Sequence, residues 1–124
     1  MKALVVDDSN TMRAVLRRIL QMRGFETVEA KHGVEALHVL AQTGTADLAL
    51  VDWNMPEMNG LQFVTEVRKN PTHAQMRIMM VTTETGLHEV QSAIDAGATD
   101  YLMKPFTTGQ VDDKLALLGL DSHA

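Results

Sequence analysis

Hydrophobic and polar positions follow two alternating periods along the chain. Five short runs read as β-strands: "ALVV" at 3–6, "FETVEA" at 25–30, "LALV" at 48–51, "IMMV" at 78–81 and "YLM" at 101–103. Three are continuously apolar, the pattern of strands covered on both faces. Elsewhere apolar residues recur at helical spacing. Met12, Val15, Leu16, Ile19 and Leu20 follow i, i+3, i+4, i+7, i+8. Val34, Leu37, Leu40 and Ala41 do likewise, as do Leu61, Val64 and Val67, then Val90, Ala93 and Ile94, then Val111, Leu115 and Leu118. Ser9 and Asn59 are placed to cap helix N-termini, and Gly24, Gly44 and Gly97 fall where helices end. Five β units alternating with five α units predict an α/β fold, a parallel sheet with helices on both faces. Open sheets of this kind bind ligands at the carboxyl ends of their strands.

A chain of 124 residues is expected to form one domain around one core. Nothing in it reads as a repeat, a low-complexity tract or a linker. After Leu118 only "GLDSHA" remains, so residues 1–124 are expected to be a single domain without an output domain. No apolar stretch has bilayer length and no charged leader precedes an apolar region, which predicts neither a membrane span nor a signal peptide. Cys is absent. That fits a reducing, cytoplasmic setting and excludes disulfides and thiolate metal sites. With 11 basic and 16 acidic residues the net charge is −5, which argues against direct nucleic-acid binding. Arg13, Arg17, Arg18 and Arg23 cluster in one segment and read as a solvated helix face. The nine Met residues, Met79, Met80 and Met103 among them, read as core filling. His32, His38, His73, His88 and His123 show no ligand spacing and read as surface residues.

The first strand runs directly into two adjacent acids, Asp7 and Asp8, in "VVDDSNTMR". Neighbouring carboxylates repel, and at a buried strand end each also loses solvation. Either something positive sits beside them or they end the strand in water. The other strand ends bear on the choice. Asp52 follows the third run, Thr82 the fourth and Lys104 the fifth. The second run ends in Glu29 and Ala30 and supplies nothing similar, which suits an edge strand. Asp7, Asp8 and Asp52 together make an oxygen-rich, negative pocket. Mg²⁺ prefers hard oxygen donors and keeps several waters, so two or three carboxylates suffice. Lys104 adds a point charge and Thr82 a hydroxyl that can bond an anion. The set suits phosphoryl transfer, and one carboxylate can act as nucleophile and become an aspartyl phosphate. Trp53, next to Asp52, reads as a loop aromatic that partly covers the pocket.

Four stretches together, "VVDDS" at 5–9, "VDWNMPEMNG" at 51–60, "VTTE" at 81–84 and "DYLMKPF" at 100–106, resemble a CheY-like receiver domain of a two-component response regulator. The resemblance runs from end to end of the chain. It implies a flavodoxin-like (βα)5 fold with strand order 2-1-3-4-5, an order for which such a protein is a standing example. It implies that Asp52 is the phosphoacceptor and that Asp8 binds the metal directly, with Asp7 acting largely through water. The backbone carbonyl of Asn54 completes the set, with Mg²⁺ as the ion and Mn²⁺ as an alternative. Lys104 matches the phosphate-pairing lysine, and Thr82 and Tyr101 match a hydroxyl–aromatic switch pair. Met55, Pro56, Met58 and Gly60 match the turn beside the acceptor, and Lys104-Pro105 matches a cis bond. Asn54, Thr83 and Glu84 match positions that tune dephosphorylation. Thr83 departs from the small residue usual there, and Asn59 from the usual Asp. The implied protein is a signalling switch rather than an enzyme. A histidine kinase or histidine phosphotransfer protein would be the donor, and a downstream protein would read strand five and the last helices. Motor switching in chemotaxis, relay and scaffold control are all compatible outputs. Two rivals fit less well. Haloacid-dehalogenase-like phosphatases place Asp-x-Asp after the first strand, whereas here the acids are adjacent. A flavodoxin needs a phosphate-cradling loop there, and "DDSNTMR" would repel a phosphate.

Overall fold

The computed structural model describes residues 1–53, 55, 58–83 and 87–120, with only the backbone of 87 and 88. The apolar runs form β1 (Lys2–Val6), β2 (Glu26–Ala30), β3 (Leu48–Asp52), β4 (Arg77–Thr82) and β5 (Asp100–Met103). The periodic segments form α1 (Asn10–Met22), α2 (Gly33–Thr43), α3 (Gly60–Arg68), α4 (Leu87–Ala96) and α5 (Thr108–Leu117). All strands pair in parallel, in the order β2-β1-β3-β4-β5, so β2 is indeed an edge. No helix among the described residues is long and apolar enough to cross a membrane.

Side chains of successive strand residues point to opposite faces, and the core divides accordingly. Leu4, Val6, Ala49, Val51, Ile78 and Met80 pack under α2, α3 and α4. Ala3, Val5, Leu48, Leu50, Met79, Val81 and Leu102 pack under α1 and α5. The expected caps are in place. Ser9 accepts a hydrogen bond from the Met12 N–H, and Asn59 forms a capping box with Gln62. Gly24, Gly44 and Gly97 all have positive φ, the conformation that ends a helix at little cost only for glycine.

Several side chains depart from the periodic expectation. On α1, Val15 is exposed and Arg13 is buried. On α2, Ala36 is buried and Ala41 exposed, because the stripe facing the sheet is Gly33, Ala36 and Leu40. The arginines are not one solvated face. Only Arg18 is exposed; Arg17 pairs with Glu29 at 2.9 Å, and Arg23 bonds Asp112 of α5 at 2.9 Å. His73 is buried, not a surface residue. Asn70 caps a short 3-10 turn (Pro71–His73) that brings the ring to 2.9 Å from Thr45 Oγ1. His32 caps α2, its Nδ1 accepting from the Glu35 N–H, and His38 is exposed. The side chains of His88 and His123 lie outside the described residues. Met76, Met79 and Met80 fill the core as expected, whereas Met103 is half-buried and Met22 exposed.

Candidate functional site

Register sets the geometry of the carboxyl edge. Val6 sits beside Val51 and Asp52 beside Val81, so Asp7 and Asp52 emerge from adjacent strands. Both share the strand parity of Val5 and Leu50, the face covered by α1 and α5. Lys104 shares the parity of Leu102 and rises on that same side. Its Nζ lies 3.4 Å from Asp7 Oδ2 and 3.3 Å from Asp52 Oδ1. Its own N–H donates to the Thr82 carbonyl at 2.8 Å, and the Lys104-Pro105 bond is cis. Of the adjacent acids, Asp7 therefore has its positive partner in Lys104, contributed by the far end of the chain, while Asp8 is exposed.

Asp7, Asp8 and Asp52 each bring a carboxylate oxygen within 4.8 Å of the others. Asp7 and Asp52 are buried and Asp8 is exposed, so the cluster opens to solvent on the Asp8 side. Burial, and then the Asp7 charge, push the Asp52 carboxyl above its ordinary value; Lys104 opposes them only in part. Three convergent hard oxygens with excess negative charge match the donor set of Mg²⁺.

The backbone under Asp52 is tightly packed. The Gly60 N–H donates to the Trp53 carbonyl at 3.0 Å. A Cβ on Gly60 would lie 2.7 Å from the Asp52 carbonyl oxygen. Met58 is seated on Gly33, where a Cβ would meet Met58 Sδ at 2.7 Å. Met55 is buried nearby in the core, while Asn54 and Pro56 lie outside the described residues.

Thr82 belongs to the other face. It shares the parity of Met80, is buried, and lines a small cavity with Trp53, Val90, Ala93 and Tyr101. Trp53 is half-buried against the α2–α4 layer and forms a wall of this cavity. Tyr101 sits at the cavity's rim, 37% exposed, with Lys114 Nζ 4.8 Å from its ring centre. Lys114 also pairs with Asp100 at 3.0 Å. Thr83 is exposed at the end of β4, and Glu84 lies outside the described residues.

The sequence reading missed two residues beside the acids, Arg13 and Glu29. Arg13 Nη1 donates to the Asp7 carbonyl at 2.6 Å, and its Nε lies 3.4 Å from Glu29 Oε1. A signal was present. Arg13, Leu16 and Leu20 form an i, i+3, i+7 stripe, which places the arginine on the buried side of α1.

The family described as response regulator receiver domain matches residues 3–116. A chemotaxis protein CheY homolog of Campylobacter jejuni is 47% identical over 116 residues, which cover 93% of this chain and 89% of the relative. The chemotaxis protein CheY1 of Helicobacter pylori is 45% identical, covering 95% and 96% respectively. The structure of chemotaxis protein CheY4 of Vibrio cholerae superposes with a TM-score of 0.88 at 36% identity, over 94% of this chain and 97% of that one.

Proposed function

The chain belongs to the response regulator receiver domain family, phosphoacceptor switches of two-component signalling, and we propose that Asp52 is its acceptor. One observation carries the assignment: the Lys104 ammonium lies between Asp7 and Asp52, within a set of three convergent carboxylates. Asp7, Asp8 and Asp52 would hold the divalent cation, with the Asn54 carbonyl as a further donor. Mg²⁺ fits this all-oxygen set, and Mn²⁺ is the alternative. When bound, the cation neutralises charge on the transferring oxygens.

The protein's own groups do the rest. A carboxylate oxygen of Asp52 attacks phosphorus on the phosphohistidine of a kinase or phosphotransfer protein. The O–P bond forms as the N–P bond breaks, and the electron pair stays on the imidazole nitrogen. Lys104 Nζ, already within 3.3 Å of Asp52, then pairs with a phosphoryl oxygen. The added charge of about −1.5 to −2 draws the Thr82 hydroxyl toward it, and Tyr101 turns into the cavity beside Thr82. The exposed surface of β5, α4 and α5 changes shape and binds the downstream partner. The chemotaxis names of the relatives support a chemotactic output. On this reading the protein catalyses only its own phosphorylation and dephosphorylation.

Incubation with Mg²⁺ and a small acyl phosphate, followed by mass-spectrometric mapping, tests the assignment. A single adduct on Asp52 is expected, absent in Asp52→Ala and lost from Asp8→Ala. Undiminished labelling of Asp52→Ala would overturn it.

A further inference from the structure

We propose that Arg13 is a positioning residue for the metal-binding acids, acting by fixing the peptide that joins Asp7 to Asp8. The inference rests on the reading of Asp7, Asp8 and Asp52 as a cation site. Arginine is among the residues least often buried without a partner, yet Arg13 is only 9% exposed. Its guanidinium faces three acceptors. Nη1 donates to the Asp7 carbonyl at 2.6 Å, Nη2 to Asn10 Oδ1, and Nε faces Glu29 Oε1 at 3.4 Å. Arg17 occupies the other Glu29 oxygen at 2.9 Å, so Glu29 is held from two turns of α1.

The consequence lies in the backbone. The Asp7 N–H donates to the Ala30 carbonyl of β2 at 3.1 Å, and the Asp7 carbonyl accepts from α1 through Arg13. Asp7 Oδ1 accepts from the Ser9 N–H at 2.9 Å. The Asp7 carbonyl and the Asp8 N–H share one rigid plane. Anchoring the carbonyl therefore sets the direction in which Asp8 leaves the strand. Asp8 is exposed, and among the described residues no hydrogen bond holds its carboxylate. Its aim toward Asp7 and Asp52 depends on the main chain beneath it.

Charge alone makes the opposite forecast. A cation behind three carboxylates repels a second cation, so simple Coulomb reasoning expects Mg²⁺ to bind more tightly once Arg13 is neutral. Glu29 offsets the guanidinium charge, leaving its fork of donors as the larger influence. The sign of the change separates the two accounts.

The test is calorimetric titration with Mg²⁺ of wild type, Arg13→Gln, Arg13→Lys and Asp8→Ala, below the unfolding transition of each. Groups that orient metal ligands typically contribute 10–100-fold to affinity, so Arg13→Gln is expected to weaken Mg²⁺ binding by about tenfold or more. The Mg²⁺ concentration that half-saturates acyl-phosphate labelling is expected to rise in step. Arg13→Lys keeps the charge without the fork and is expected to fall between. A purely structural role would lower Tm and leave the affinity of the folded protein unchanged. Wild-type affinity, or tighter binding, in Arg13→Gln overturns the inference; if that variant does not fold, the same result in Arg13→Lys overturns it. No Mg²⁺ binding by wild type, or undiminished binding by Asp8→Ala, overturns the site reading and this inference with it.

Discussion

A carboxylate buried beside another carboxylate destabilises the fold that holds it, and Asp52 is in that position with Asp7. Its folded pKa lies above the ordinary value of 3.8, so the folded state holds the proton more tightly than the unfolded chain. The sign follows. Stability falls as pH rises through that range, and at neutral pH the ionised group is a net cost. Asp52→Asn is therefore expected to raise Tm at pH 7 in the absence of divalent cation; each 1 kcal/mol reads as roughly 3–5 °C in a domain of this size. Mg²⁺ is expected to reverse the order, because a ligand that binds only the folded state stabilises it by mass action and the variant lacks the charge of one proposed carboxylate ligand. Thermal melts with and without Mg²⁺ check both halves. The proposed role of Thr83 lies at the same scale: the resemblance puts it at a position that tunes dephosphorylation, with a branched side chain where the family usually has a small one. Thr83→Ala is expected to speed loss of the phosphoryl group without changing Mg²⁺ affinity, and a tenfold change needs only ~1.4 kcal/mol of barrier. Decay of the labelled protein at fixed Mg²⁺ measures it; equal lifetimes would remove Thr83 from the account.

At the scale of elements, the placement of Asp52, the proposed acceptor, depends on how closely α3 approaches the end of β3. Gly60, the first residue of α3, lies against the Asp52 carbonyl and Met80 Cε, at 2.7 Å and 2.6 Å from where a Cβ would be. Met80 can shift, but the Asp52 backbone cannot move without moving the Asp52 carboxylate. Gly60→Ala is expected to cost about 1–3 kcal/mol, the usual range for overpacking, and to slow acyl-phosphate labelling. Gly109 in α5 provides the contrast. A Cβ there meets nothing closer than Thr107 Oγ1 at 3.8 Å. Gly109→Ala is expected to leave labelling intact and to stabilise the helix by up to about 1 kcal/mol. Denaturant titration and labelling of the pair distinguish a site effect from a general one.

Across the whole molecule, the two ends of the sheet carry opposite pH dependences. At the carboxyl edge Asp52 penalises the ionised state. At the amino edge, burial, and then the charges of Arg68 and Lys2, hold the His73 pKa below its ordinary 6.5. The unfolded chain therefore binds that proton more readily. The contribution of His73 is fully present above about pH 6.5 and is lost as pH falls below it. Arg68 is itself held beside it, donating to Gly97, His73 and Met76 carbonyls at 3.0, 2.8 and 2.8 Å. His73→Gln is expected to flatten the acid limb of stability between pH 6.5 and 5. Urea melts across that range check it, and an unchanged slope would show that other groups govern the limb.

The sequence by itself determined the alternation of strands and helices, because periods of 2 and 3.6 are local properties that each element expresses before packing. It also placed Asp7, Asp52, Thr82 and Lys104 on one edge, since parallel strands present all their carboxyl ends together. Strand order came from resemblance, and the sheet has that order. Only the tertiary structure decided which polar groups are buried. Arg13 and His73 looked like surface residues because their partners, Glu29 on β2 and Thr45 just beyond α2, lie elsewhere in the chain; Thr45 is 28 positions from His73. The same holds for the central contact. Lys104 meets Asp7 across 97 positions of sequence, and its placement midway between two carboxylates is a result of register. A periodicity reports the face a residue takes on its own element. Whether a charge can remain on the inner face depends on a partner that folding alone brings within reach.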